Sequence, residues 1–186
     1  YLLNDCLDVE YDRKHPIKRN RPIAAGLVSR NFALLISILL IIFCVSSAFF
    51  IKKLLAALIC LYILIQISYC IKLKKEPLLD IFCLAAGFLI RATSGAVVTE
   101  LFISPWFLLS TGLLALFLAI EKRKAELKHS IDIGKIEREV LKRYSLPLLN
   151  RLENIVATST FVSYMLWASG PVLNGAKSSL MLFTVP

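Results

Sequence analysis

The sequence predicts an all-α membrane protein built as a bundle of transmembrane helices. Of its 186 residues, 58% are hydrophobic, whereas soluble domains are nearer half apolar. These apolar residues form long runs, and a run of about 20 is enough to cross the hydrocarbon core of a bilayer. Lys and Arg are concentrated in alternate connections between the runs. Because lipid cannot pair with free backbone polar groups, we expect the runs to be helices and strands to be nearly absent.

Five apolar stretches reach or approach the length of a membrane span, and they cover residues 31–51, 54–71, 78–102, 106–120 and 155–170. A sixth run starts near Ser179 and stops at Pro186 before it could cross. The chain opens at Tyr1, within a motif and without a Met. We therefore expect residues 1–186 to be one transmembrane domain, truncated at both ends.

The net charge of +9 is distributed unevenly along the chain. Basic residues cluster before Asn31, at 72–75 and at 122–151, whereas the opposite connections hold Lys52, Lys53 and Lys177. Cytoplasmic loops of membrane proteins are enriched in Lys and Arg in this way. The long polar segments are thus expected to face the cytoplasm. Since this rule accounts for most of the positive charge, we do not expect a nucleic-acid partner.

The first polar segment carries a row of carboxylates. Asp5, Asp8 and Asp12 follow Asn4 at spacings of three and four, which places the three Asp residues on one face of a helix. Stacked carboxylates repel one another, so the row becomes favourable when a divalent cation neutralises it. Oxygen ligands suit Mg²⁺, which commonly bridges one or two carboxylates to substrate phosphates. The alternative is a solvated acidic helix end.

A basic connection framed by prolines follows directly. Pro16 and Pro22 end the helix and stiffen the chain, while Lys18, Arg19 and Arg21 lie between them. A metal-bound diphosphate needs adjacent acids and bases, because the cation binds some oxygens and Arg binds others. The positive-inside bias alone would scatter bases without a proline frame. His15, which precedes a proline, is expected to be structural.

The third span contains an arginine, Arg91, at a depth where an unpaired charge is costly. Asp80 lies eleven residues earlier, about three turns, and hence on a similar face of the helix. We expect Arg91 to line a cavity, where it binds an anionic group or pairs with a carboxylate of another helix.

The loop after the fourth span ends in a mixed amphipathic stretch, residues 136–144. This pattern predicts a surface helix at the membrane interface or over a cavity. Tyr144 and Trp106 are expected to be interface anchors.

The stretch from Asn4 to Gly26 resembles the first aspartate-rich motif of the UbiA superfamily of membrane prenyltransferases. The His-Pro-x-Lys-Arg-x-Arg-Pro continuation resembles the branch that makes polyprenyl-phosphoryl phosphoribose. Further similarity to that branch is carried by three stretches: Leu79 to Ala96, Ser104-Pro105-Trp106 and Lys122-Arg123-Lys124-Ala125-Glu126-Leu127.

The resemblance implies a fold of nine transmembrane helices around a central cavity, with the first two largely missing here. It also implies an Mg²⁺-dependent transfer of a 5-phosphoribosyl group from phosphoribosyl diphosphate to a polyprenyl phosphate, in a bacterial inner membrane. Asp5, Asp8 and Asp12, helped by Asn4, would then hold Mg²⁺ on the leaving diphosphate. The basic residues Lys18, Arg19, Arg21, Lys122 and Arg123 would bind phosphate groups.

The sequence departs from the aromatic prenyltransferases of the superfamily in one respect. They carry a second aspartate-rich motif, but the matching loop here, residues 121–153, holds a single aspartate, Asp132. This favours phosphoribosyl transfer over the alternative, prenyl transfer to an aromatic or other acceptor. A channel or transporter subunit would account for the spans and Arg91 but leaves the acidic and basic motifs unexplained.

Overall fold

A computed structural model describes residues 2–14, 18–132 and 139–169. Every regular element within these ranges is helical, as the sequence predicts. The α-helices are α1 (Leu2–Leu7), α2 (Val9–Lys14), α3 (Arg30–Ile51), α4 (Lys53–Ile71), α5 (Leu79–Thr99), α6 (Pro105–Asp132) and α7 (Leu146–Ser169). Short 3₁₀ turns cover Lys18–Asn20, Leu73–Lys75 and Glu139–Arg143.

Four of the described helices, α3 to α6, are long and apolar enough to cross a membrane. They correspond to the first four predicted spans. Helix α7 has 24 residues, but its first turns carry Asn150, Arg151 and Glu153. The fifth span therefore stays a prediction, and the sixth run, Ser179 to Pro186, lies outside the described residues.

The chain folds into two compact units, and the first ends at Ile71. In it α3 packs against α4, and α1 contacts both helices. A small core of Cys6, Val9, Ile23 and Ala33 joins α1 and α2 to the start of α3. Helix α3 begins after Ser29, whose hydroxyl accepts a hydrogen bond from the backbone N–H of Phe32 at 3.3 Å. This cap fixes where the polar N-terminal segment gives way to the span.

The second unit begins at Lys72. Helix α6 packs along both α5 and α7, around a core that includes Ile81, Ile120, Leu127 and Leu149. The sequence placed a loop directly after Ile120. Instead, α6 continues to Asp132. In this extension Arg123 pairs with Asp80 of α5, and Lys124 pairs with Glu153 of α7. Whether the two units belong to one domain stays a prediction.

The stretch predicted as an interfacial helix differs from expectation. Residues 133–138 lie outside the described residues, and Glu139–Arg143 is a 3₁₀ turn. Val140 and Leu141 are each 2% exposed and belong to the core of the second unit. The apolar side chains of this turn are therefore covered by protein rather than by the membrane interface.

Candidate functional site

The acidic residues of the N-terminal segment are bound to an arginine of the loop that follows. Nη1 of Arg21 donates to Oδ1 of Asp5 at 2.7 Å and to Oδ2 of Asp12 at 2.9 Å. Asp12 is 3% exposed, and the side chain of Asp5 is 22% exposed. One guanidinium nitrogen thus joins two carboxylates of the predicted row. The sequence predicted an acidic helix face followed by a basic loop. It did not predict the direct contact between Arg21 and these carboxylates, which the structure shows.

Asp8 lies at the bend between α1 and α2. The backbone N–H of Asp8 donates to the carbonyl of Asn4 at 2.9 Å, and that of Asp12 donates to the carbonyl of Asp8 at 2.8 Å. These i→i−4 bonds carry a helical path through the bend. The sequence predicted a single helix, and two short ones form instead, with Asn4, Asp8 and Asp12 still following one another at helical spacing.

The side chains of this segment are chemically suited to Mg²⁺, since the carboxylates of Asp5, Asp8 and Asp12 and the side-chain carboxamide of Asn4 all offer oxygen. As the side chains stand, no group of three or more His, Cys, Asp or Glu in the described part of the chain is arranged to hold a metal ion. In this arrangement Arg21 engages one oxygen each of Asp5 and Asp12. The predicted ligand set therefore stays a proposal.

The loop that carries the predicted phosphate ligands is tied back to α2. Nε of Arg13 donates to the carbonyl of Ala24 at 3.2 Å, and Gly26 turns the chain with φ +80°, a conformation that favours glycine. Nζ of Lys18 lies 5.8 Å from the ring centroid of Tyr11, and the side chain of Arg19 is exposed. His15 and Pro16, which the sequence assigned to this frame, lie outside the described residues.

The side chain of Asn4 contacts the last turn of α4. The Cys70 thiol, which is buried, donates to Oδ1 of Asn4 at 3.4 Å. The carboxamide of Asn4 is thereby oriented by a residue 66 positions later in the chain. Sequence reasoning did not find this contact.

The second unit contains a buried polar cluster that the sequence did not predict, formed by Asp80, Arg123, Glu126 and Tyr144. Asp80 is 0% exposed, and Arg123 is 1% exposed. Nε of Arg123 donates to Asp80, and its Nη1 donates to Glu126. The Tyr144 hydroxyl donates to Oδ1 of Asp80 at 2.6 Å and accepts from the backbone N–H of Leu78 at 2.7 Å.

Tyr144 is therefore not the interface anchor that the sequence predicted. It is 6% exposed, and burial, together with its hydrogen bond to Asp80, raises the pKa of its hydroxyl above the ordinary value near 10. The hydroxyl stays protonated at neutral pH and serves as the donor to Asp80. A signal was present in the sequence, since a carboxylate at a span end requires a partner.

The two basic residues assigned to phosphate binding on α6 have different surroundings. Arg123 is enclosed by Asp80 and Glu126, whereas Lys122 is exposed. The next residue, Lys124, pairs with Glu121 at 2.9 Å and with Glu153 of α7. These contacts do not test Lys122 or Arg123 as phosphate ligands, so both assignments stay predictions.

Arg91 is exposed on α5, with its guanidinium carbon 5.7 Å from the ring centroid of Phe88. The partner of Asp80 is Arg123 of α6 rather than an arginine of its own helix. A role for Arg91 in binding an anionic group stays a prediction.

Comparison with known proteins places the whole chain in one group. A model of the UbiA prenyltransferase family matches residues 1–185. The chain is 40% identical over 168 residues to a decaprenyl-phosphate phosphoribosyltransferase of Mycolicibacterium smegmatis. The matched region covers 90% of this chain and 53% of that protein. It is 38% identical over 169 residues to the protein of the same name in Corynebacterium glutamicum, covering 90% of this chain and 51% of the relative. The chain thus spans about half the length of these curated relatives.

Among solved structures, the chain matches a UbiA homolog from Archaeoglobus fulgidus bound to GPP and Mg²⁺. The match has a TM-score of 0.83 and 15% sequence identity, and covers 99% of this chain and 66% of that one. A likeness at this identity shows a shared fold, and it agrees with the helical membrane architecture predicted from the sequence.

Proposed function

Because this chain belongs to the UbiA prenyltransferase family, we propose that it is part of a membrane transferase that moves a 5-phosphoribosyl group from phosphoribosyl diphosphate to a polyprenyl phosphate, releasing diphosphate. The observation that carries the proposal is the identity of 37–40% to relatives named decaprenyl-phosphate phosphoribosyltransferase over 90% of this chain. The chain spans about half of those relatives, so the activity proposed is that of the whole protein.

The reaction needs one bond to break and one to form at the anomeric carbon of the ribose. The bond to the diphosphate oxygen breaks, and its electron pair leaves with the diphosphate. A phosphate oxygen of the lipid then supplies the pair for the new bond. Since that oxygen is already ionised, no general base is required. When bound, Mg²⁺ would stabilise the negative charge that develops on the leaving diphosphate.

The residues of the N-terminal segment would supply the ligands for this chemistry. Asp5, Asp8 and Asp12, with Asn4, would hold the cation, and the Cys70 thiol would keep the Asn4 carboxamide oriented. Lys18, Arg19 and Arg21 would bind phosphate oxygens, for which guanidinium groups have matching geometry.

The remaining sequence-based assignments belong to the same proposal. Lys122 and Arg123 are proposed to bind the sugar 5-phosphate or the lipid phosphate, and Arg91 an anionic group. The chain of the polyprenyl phosphate would lie among the spans. The bias of basic residues supports a site on the cytoplasmic side of a bacterial inner membrane.

The test uses the full-length protein in membranes with Mg²⁺, labelled phosphoribosyl diphosphate and polyprenyl phosphate. We expect label to enter the organic phase and this transfer to be lost with EDTA. Asp8→Ala should reduce the rate by about 100-fold or more, the scale on which removal of a preorganised electrostatic group slows a reaction. Glu10→Ala is the matched control, because Glu10 is an exposed carboxylate of α2 outside the motif.

Retention of full transfer by Asp8→Ala would contradict the role of the acidic row. If no lipid becomes labelled but the protein moves a prenyl group from prenyl diphosphate to an aromatic acceptor, the family assignment stands and the phosphoribosyl assignment fails.

A further inference from the structure

We infer that Arg21 is an internal counter-cation that competes with the metal for Asp5 and Asp12 and is released to the diphosphate when the metal binds. This inference rests on the proposed function to the extent that Asp5 and Asp12 bind a metal. Arg21 would alternate between two partners, the carboxylates of Asp5 and Asp12 and the diphosphate. The cation and the diphosphate should therefore each increase the affinity for the other through Arg21.

The contact itself is the first observation. A single nitrogen, Nη1 of Arg21, lies 2.7 Å from Oδ1 of Asp5 and 2.9 Å from Oδ2 of Asp12. Mg²⁺ binds carboxylate oxygens at about 2.1 Å. A cation that took both of these oxygens would therefore compete with Nη1 for their lone pairs. It would also add a second positive charge next to the guanidinium, so the two contacts disfavour each other.

Burial is the second observation. Asp12 is 3% exposed, so its negative charge needs a partner in the folded protein. Arg21 supplies that partner from a loop rather than from a rigid helix, and its side chain remains 38% exposed. A buried carboxylate with a partly exposed, loop-borne cation is suited to exchange, since the arginine can turn to solvent or to an anion while the carboxylate stays in place.

The chemistry of the free guanidinium gives the exchange its direction. Arg forms paired hydrogen bonds with phosphate oxygens as well as with carboxylates. Once a divalent cation takes over Asp5 and Asp12, Arg21 is left without their charge and becomes available to a diphosphate bound beside the cation. Without diphosphate, release of Arg21 is uncompensated, and the affinity for the cation alone is lowered.

The experiment titrates the full-length protein in detergent micelles with Mn²⁺, followed by electron paramagnetic resonance, as a probe for the Mg²⁺ site. We expect Arg21→Gln to bind Mn²⁺ alone about tenfold or more tightly than wild type, as expected when a competing charge-assisted hydrogen bond is removed. Arg30→Gln is the matched control. It removes the same charge from an exposed side chain at the start of α3, outside the residues proposed to bind phosphate, and should change the affinity by less than about threefold.

Added inorganic diphosphate separates the two roles of Arg21. In wild type it should tighten Mn²⁺ binding, and in Arg21→Gln this gain should be largely lost. Equal Mn²⁺ affinities for Arg21→Gln and Arg30→Gln would overturn the inference. So would a weaker affinity of Arg21→Gln, because Arg21 would then support the metal rather than compete with it.

A wild-type measurement keeps the inference falsifiable if the variant does not fold. Mass spectrometry follows phenylglyoxal modification of Arg21, with the exposed Arg30 as the internal reference. Mg²⁺ alone should increase the modification of Arg21 relative to Arg30, and diphosphate added with Mg²⁺ should protect Arg21. A ratio that Mg²⁺ leaves unchanged would overturn the inference.

Failure of the proposed metal site is a separate result. If Asp5→Asn and Asp12→Asn bind Mn²⁺ as wild type does, the acidic row is not the metal site, and this part of the proposed function fails with the inference. If both variants lose Mn²⁺ binding and Arg21→Gln binds Mn²⁺ no more tightly than wild type, only the competition by Arg21 is overturned.

Discussion

At the scale of single residues, the second unit depends on a buried carboxylate whose hydrogen bonds come from separate elements. Asp80 accepts from Arg123 of α6 and from Tyr144, which follows a 3₁₀ turn. The same tyrosine hydroxyl accepts from the N–H of Leu78, a residue with φ +67°. A non-glycine residue in this region costs about 1–3 kcal/mol and persists where its surroundings hold it. The hydrogen bond from Leu78 to Tyr144 helps to stabilise this backbone conformation.

The Tyr144 hydroxyl is predicted to stabilise this unit measurably. Tyr144→Phe removes the donor to Asp80 and the acceptor of Leu78, so we expect a loss of about 1–3 kcal/mol in the free energy of unfolding. SDS-induced unfolding of the full-length protein in micelles measures it. A double-mutant cycle with Asp80→Asn should give a coupling of about 0.5–3 kcal/mol, the range for contacting residues. Strict additivity would contradict the contact.

Alkaline pH offers a readout specific to this hydroxyl. Because the pKa of Tyr144 is raised in the folded protein, its contribution is complete below the unfolded pKa of about 10 and is lost as pH rises above it. Wild type should therefore lose more stability than Tyr144→Phe between pH 9 and about pH 11.

The N-terminal motif and the buried cluster differ in how far the sequence revealed them. Asp5, Asp8, Asp12 and Arg21 lie within 17 residues of one another, so helical spacing and a short loop are enough to bring them together. Asp80 and Tyr144 are 64 positions apart. Their contact depends on how the segment between α6 and α7 packs against the start of α5, which no local spacing encodes.

At the scale of elements, α5 and α6 are in tight contact at Gly112 of α6. A Cβ added at Gly112 would lie 3.2 Å from Cδ1 of Leu89, whereas a Cβ at Gly95 would meet nothing within 4 Å. Small residues let transmembrane helices approach closely. Of these two glycines, Gly112 is therefore the one at which the helices are in tight contact.

Leucine at these two glycines should therefore have different effects. Gly112→Leu forces a side chain against Leu89, and overpacking of this kind costs about 1–3 kcal/mol. Gly95→Leu is the matched control, since it adds the same side chain where α5 has room. Thermal unfolding in micelles is the measurement, and an equal loss in both variants would contradict the assigned contact.

At the scale of the whole molecule, the sequence predicts which connections face the cytoplasm. Lys53 begins α4, and Lys75 lies between α4 and α5, so they should be on opposite sides of the membrane. Both side chains are exposed, which makes Lys53→Cys and Lys75→Cys a matched pair.

A membrane-impermeant maleimide applied to intact cells should label the cysteine at 53 and spare the one at 75, and inside-out vesicles should give the reverse. Mass spectrometry of the labelled peptides distinguishes these sites from the five native cysteines. Labelling of both positions from one side would overturn the predicted orientation.

The sequence by itself determined the membrane class, the helices and the acidic motif, because each depends on neighbours along the chain. Apolar runs predicted α3 to α6, and spacings of three and four predicted the row from Asp5 to Asp12. The tertiary structure decided which charges neutralise each other. Asp80 pairs with Arg123, and Asp12 with Arg21, since burial makes an unpaired charge costly and packing alone determines which partner is within reach.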